Sequence, residues 1–398
     1  MPHRGLESSN SPQQNCRKDA RNSGLALLLN FWNIDMEMKS PFRTPVSPNA
    51  ADYEACLLRK GTPRRPHLVE FFLDNEIQQE IIKRFDISAG IDEADPHHYE
   101  KTEIALQRFL GYDFVHSAVN GPGFEAKWAN ASDTAGLSRA AGRNFVDETR
   151  GPVATREEFD KYPWPSTSKF ETGSLEWFEK NTPDDMCVTV GNSAHIMEDV
   201  TFLMGYETMC EALYEDIALV RDITKKVSDY YIEMSKVAVQ FKRVRFVFAS
   251  DDMGFRTGPL VGPDTLAELF LPAHKRIAEI THAAGKNYLL HSCGKLDTIM
   301  ERLISDVRID AKHSFEDNIE DICDAKRKYG NRIAFLGGVD VDLLCRAPET
   351  VIRERVRTIL KNCLSGGGFA LGTGNTVANY IPVDNYLAMV DEARNFTG

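Results

Sequence analysis

Eight short apolar runs punctuate this chain, each ending in a polar turn. They begin near residues 67, 113, 186, 244, 286, 308, 333 and 368. Runs of this length, bounded by turn residues, predict buried strands. Between them, apolar residues at helical spacing predict helices over 75–85, 195–203, 207–239, 263–284, 296–305, 319–329, 348–364 and 383–396, with weaker helical character at 52–59 and 104–110. Pro263 stands in the first turn of its helix, where proline is tolerated. Strands alternating with helices predict an α/β fold, a single (β/α)8 TIM barrel over residues 51–398. The competing arrangement is an open doubly wound sheet, but no Gly-x-Gly-x-x-Gly opens a helix after an early strand.

Two segments interrupt the alternation. Residues 1–50 are rich in Ser, Asn, Gln, Pro and basic residues, with one apolar patch at Leu25–Trp32, and are expected to be a disordered N-terminal extension. Residues 120–165 carry many small and polar residues with little periodicity and end in Tyr162-Pro-Trp164-Pro. A long irregular insertion inside a compact domain points to a lid more than to a plain connection.

Charge and composition narrow the function. A net charge of −12 over 398 residues argues against nucleic acid or an anionic membrane as partner. No apolar window reaches bilayer length and no secretory pattern heads the sequence, so a cytoplasmic protein, monomer or homodimer, acting on a small molecule is expected. The eight cysteines are scattered, and only Cys293 stands in a context that suggests chemistry.

In a barrel, catalysis belongs to the loops after the strands. Those loops hold Glu70, Asp74, His116, Asn192, Asp251, Asp252, His291, Cys293, His313, Glu316, Asp340 and Asn375. His291 and Cys293, one residue apart at a strand end, could reach one metal ion. A catalytic zinc takes three protein ligands. Asp252, His313 and Glu316 are candidates for the third, and Asp252 is equally suited to orienting His291. His313 could instead contact substrate, and Glu316 could cap the next helix. Glu70, Asp74, His116, Asn192, Asp251, Asp340 and Asn375 are candidates for binding substrate. The glycines of 366–368 and 372–374 suit either an anion cradle or tight turns.

From about residue 52 onward the chain resembles the uroporphyrinogen decarboxylase superfamily, which includes cobalamin-related methyltransferases. The resemblance rests on Arg59-Lys-Gly-Thr-Pro-Arg-Arg-Pro66, Asp251-Asp-Met-Gly254, His291-Ser-Cys-Gly294, Gly337-Gly-Val-Asp340 and Gly366-Gly-Gly-Phe-Ala-Leu-Gly-Thr-Gly-Asn375. It implies a barrel with a cleft at the strand C-termini. The first strand, His67-Leu-Val-Glu-Phe-Phe-Leu-Asp74, lacks the arginines with which the decarboxylases grip a polycarboxylate. The methyltransferase branch, by contrast, has His-x-Cys after the fifth strand and a further cysteine in the last loop, binding Zn2+. Here Gly374-Asn375 stands where Gly-Cys is expected. The resemblance therefore implies a zinc-dependent methyltransferase moving a methyl group between a methoxy or thiol substrate and a corrinoid carried by a partner protein. In that setting His291 and Cys293 are ligands, and Asp252, His313 and Glu316 are catalytic. The alternatives are a decarboxylase of uroporphyrinogen or a smaller polycarboxylate, and an inactive barrel kept as a binding protein.

Overall fold

In a computed structural model of the protein, residues 40–191 and 193–397 are described. Seven of the expected strands form one parallel sheet: β1 (Phe114–Ser117), β4 (Cys187–Val190), β5 (Val244–Ser250), β8 (Asn287–His291), β9 (Ala311–His313), β10 (Ala334–Val339) and β11 (Phe369–Thr373), paired in that order. The order follows the sequence without the reversal a doubly wound sheet requires. The remaining run, near residue 67, is extended and makes isolated parallel bridges to the β11 side, Leu68 with Leu371 and Leu73 with Val377. On its other flank, Glu70 O accepts from His116 Nε2 at 2.9 Å, and His67 Nδ1 meets Asp113 Oδ2 at 2.7 Å.

The helices are α1 (Asn75–Arg84), α2 (His98–Leu110), α3 (Gly173–Asn181), α4 (Ile196–Met204), α5 (Tyr206–Glu215), α6 (Ile217–Ala238), α7 (Leu271–Ala283), α8 (Ile322–Tyr329), α9 (Glu349–Cys363) and α10 (Val383–Arg394), with shorter turns between. Their boundaries have local causes. The helix expected over 207–239 is broken because the Asp216 side chain accepts from Leu219 N and caps α6. The one expected over 296–305 shrinks to Met300–Arg302 and a π-turn at Leu303–Val307. A second π-turn, Leu266–Phe270, precedes Pro272, which has no N–H to donate.

Aromatic rings fill the sheet interior. Tyr53, from the short helix Ala50–Leu57, stacks on Phe114 and meets Phe246 edge-on. Phe71 stacks on Phe248 at 3.9 Å, and Phe72 meets the His291 ring edge-on at 5.0 Å. This apolar column delivers the histidines to the strand ends.

Most of the expected N-terminal extension, residues 1–39, lies outside the described residues. Residues 41–49 pack on the body. The Arg43 Nε and backbone N–H both donate to Asp391 at 2.8 Å, and Arg394 Nε donates to Thr44 O at 3.0 Å. The 120–165 insertion contains an unexpected hairpin, β2 (Trp128–Ala131) with β3 (Arg143–Val146), and a two-residue hairpin, β6 (Gly254–Phe255) with β7 (Gly258–Pro259), follows β5. Among the described residues, no helix is long and apolar enough to cross a membrane.

Candidate metal centre

Strand register assembles the site. Ser250 at the end of β5 is paired with His291 at the end of β8, and Asp251 N donates to His291 O at 3.0 Å. Carrying that register on by two residues places Asp252 opposite Cys293, whose N–H donates to Asp252 Oδ1 at 2.8 Å. The two loops touch backbone to backbone. Gly294 has φ +83, and a Cβ there would fall 2.2 Å from Gly254 C, so a side chain at this position would push the loops apart.

Asp252, His291 and Cys293 bring one carboxylate oxygen, one imidazole nitrogen and one sulfur to within 4.8 Å of each other. His291 Nε2 lies 3.4 Å from Cys293 Sγ and 3.4 Å from Asp252 Oδ1. Ligands bonded at ~2.0–2.3 Å around a tetrahedral zinc stand roughly 3.3–3.8 Å apart, so both His291 separations match such an ion, and three protein donors would leave a fourth position open.

The electrostatics favour a cation. Burial pushes the Asp252 carboxyl up, but the His291 hydrogen bond and charge and the Cys293 N–H outweigh it and hold the group down to about 2. Burial and the facing Asp252 charge push the Cys293 thiol up to about 12, despite hydrogen bonds from Asn375 and Ser314. A thiol beside a permanent carboxylate stays protonated until a positive charge arrives.

The histidines are coupled by a second register pair, His291 with His313. Their Nδ1 atoms lie 2.7 Å apart, so one ring donates and the other accepts. Burial, the neighbouring His291 and Lys312 hold His313 well below the usual histidine range, which keeps it neutral. When His291 Nε2 turns its lone pair to a metal, its Nδ1–H donates to His313 Nδ1. Such a bond would hold the His291 ring in place, and His313 itself is not part of the triangle. Asn375 completes the floor: Nδ2 donates to Cys293 Sγ at 3.2 Å and to Glu316 Oε1 at 3.4 Å.

The other sequence candidates lie elsewhere or are occupied. Asp251 is fully buried and turned outward. It accepts from Met197 N and Glu198 N at the start of α4 and from His274 Nε2 at 2.7 Å, and His274 in turn bonds Tyr288. Asp340 caps the short helix Val341–Arg346 and accepts from Asp317 N. Asp74 accepts from Asn379 N and pairs with Arg139 of the insertion at 2.5 Å. The His116 ring bonds the Glu70 carbonyl. Asn192 lies outside the described residues. Gly366, Gly367 and Gly368 form a turn with positive φ before β11, with Lys326 Nζ donating to the carbonyls of Gly367 and Gly368, and a Cβ on Gly372 would sit 1.9 Å from Val69 O. Sequence reading missed Ser292, whose Oγ accepts from Met253 N, and Lys312, whose buried Nζ donates to Ser314 O at 2.7 Å. A lysine inside a short apolar strand was the available signal for Lys312.

Glu70 is 3% exposed and engaged by Thr373 N–H at 3.0 Å and Thr373 Oγ1 at 2.7 Å. Burial pushes its carboxyl up to about 8 against those two bonds, so it carries a proton at neutral pH. The folded state binds this proton more tightly than the unfolded chain. Its stabilisation is therefore full below the unfolded carboxylate range and is lost as pH rises toward 8, at up to ~1.4 kcal/mol per pH unit. Glu70→Gln is expected to flatten that slope between about pH 5 and pH 8 in urea-midpoint measurements.

A family profile of uroporphyrinogen decarboxylase (URO-D) matches residues 185–396. The uroporphyrinogen decarboxylase of Cupriavidus necator is 38% identical over 76 residues, 18% of this chain and 20% of that protein. That of Coxiella burnetii is 32% identical over 77 residues, 19% of this chain and 21% of that protein. The matched stretch thus spans about a fifth of the curated relatives' length. Among solved structures, a methyltransferase from Methanosarcina mazei superposes with TM-score 0.63 over 87% of this chain and 98% of that one, at 13% identity, a likeness of fold.

Proposed function

The chain belongs to the uroporphyrinogen decarboxylase family, and from that premise we propose that it is a zinc-dependent methyltransferase. It moves a methyl group between a small methoxy or thiol substrate and a corrinoid carried by a partner protein. The carrying observation is the triangle of Asp252, His291 and Cys293, in which an ionised carboxylate faces a half-buried thiol. The fold belongs to the same reading: a (β/α)8 barrel closed through residues 67–73, with the 120–165 insertion as lid and the open strand ends as the docking face, in a cytoplasmic monomer or homodimer.

Asp252, His291 and Cys293 hold the ion. Zinc there supplies positive charge that favours thiolate over thiol and withdraws electrons from a methoxy oxygen. His313 accepts the His291 Nδ1 proton and fixes the ring. Glu316, half-buried beside Asn375, carries protons for the leaving or entering group. Phe72, edge-on to His291, keeps water from that side. Because His313 acts through His291, His313→Ala is expected to weaken zinc binding by ~10–100-fold while leaving one equivalent bound at saturation. Competition titration against a chromogenic chelator reads this.

A second reading, decarboxylation of uroporphyrinogen, draws on the short alignments with decarboxylases. Arg139 and Arg143 of the insertion are paired with Asp74, Glu76 and Asp133, and residues 67–74 carry no arginine, which leaves the methyltransferase reading ahead. Anaerobic incubation of zinc-loaded protein with methylcobalamin and a panel of small thiols tests it. Thioether with demethylated corrinoid is the expected product. Coproporphyrinogen formed from uroporphyrinogen by metal-free protein would establish the second reading instead.

A further inference from the structure

Two thiols that the metal centre does not use face each other behind the sheet. Cys363, the last residue of α9, is fully buried, and its S–H donates to Cys323 Sγ at 3.7 Å. Cys323 is partly exposed and is the second residue of α8, whose N-terminus Asp321 caps by accepting from Cys323 N and Asp324 N. The first turn of a helix favours a thiolate there, and Arg355 of α9, bonded to Asp321 at 2.7 Å, lies close enough to add its charge. All seven cysteines among the described residues are free, and in no other pair does one thiol hydrogen-bond the other.

We propose that Cys323 and Cys363 form a reversible redox dithiol, with Cys323 the peroxide-reactive sulfur and Cys363 the resolving one. The Cys323 thiolate attacks one oxygen of a hydroperoxide, the O–O bond breaks, and the departing oxygen takes a proton to leave as water or alcohol. Cys363 sulfur then attacks the sulfenic sulfur. The S–O bond breaks, and hydroxide leaves as water with the Cys363 proton. The two thiols lose two electrons and the peroxide gains them. Oxidation would close the sulfur–sulfur separation from 3.7 Å to a bond of about 2.0 Å. The bond would tie together the helices already joined by Arg355, which also bonds Asp317, next to Glu316 at the metal centre.

The test treats reduced full-length protein with a slight excess of hydrogen peroxide, alkylates the remaining thiols and maps the digest by mass spectrometry. The expected result is a Cys323–Cys363 linked peptide pair that dithiothreitol dissolves. Cys363→Ser should instead accumulate a dimedone-reactive sulfenic acid at Cys323, and Cys323→Ser should leave Cys363 unmodified. Recovery of both residues alkylated after the peroxide is consumed, or oxidation confined to Cys293 in the wild-type protein, would overturn the proposal.

Discussion

Cys293→Ala is expected to reduce zinc bound after gel filtration to background, where the wild type retains one equivalent. The loss should far exceed the ~10–100-fold that an orienting partner contributes, because the thiolate supplies both a bond and a neutralising charge. Two donors remain, His291 Nε2 and Asp252 Oδ1, 3.4 Å apart, with Asn375 offering an amide N–H toward the vacated position rather than a lone pair. Asp252→Asn should act in the same direction. It replaces an anionic ligand by a neutral amide while keeping an acceptor for Cys293 N–H, so zinc binding should fall while stability stays within about 1 kcal/mol of wild type. Elemental analysis paired with urea unfolding separates lost metal from lost fold.

The neighbouring aspartate should behave oppositely. Asp251→Ala is expected to destabilise the protein by about 3 kcal/mol or more, because it strips the α4 N-terminus of its acceptor and leaves buried His274 without its carboxylate. The urea midpoint should fall with an unchanged slope, while zinc binding by the folded fraction persists. Adjacent residues with such different readouts follow from geometry: past the end of β5, successive side chains leave the backbone on opposite sides. Asp251 turns out to the helices and Asp252 turns in to the strand-end opening.

That contrast marks where sequence reading stopped. Seven strands were legible because each is a short apolar run closed by polar residues, and the His-x-Cys was legible because one turn carries both donors. The third member of the triangle was not. The sequence offered Asp252 chiefly to orient His291 and His313 or Glu316 to complete the sphere, since the choice depends on the registers Ser250 with His291 and His291 with His313, and no local pattern encodes them. Register pairs the two imidazoles Nδ1 to Nδ1 and gives His313 an orienting position. The β2–β3 hairpin was hidden because its rings face both ways: Trp128 and Phe145 are each more than half exposed, so the segment lacks the one-sided alternation of a buried strand. The Cys323–Cys363 contact spans 40 residues between two helices, beyond the reach of any spacing rule.

A zinc ion held by Asp252, His291 and Cys293 would be bound by one sulfur, one imidazole and one carboxylate. X-ray absorption at the zinc edge of the loaded protein tests this most directly. One sulfur at about 2.3 Å, with nitrogen and oxygen scatterers near 2.0–2.2 Å and an imidazole signature, is the predicted first shell. A shell with two or more sulfurs, or with none, would contradict the assignment of Asp252, His291 and Cys293.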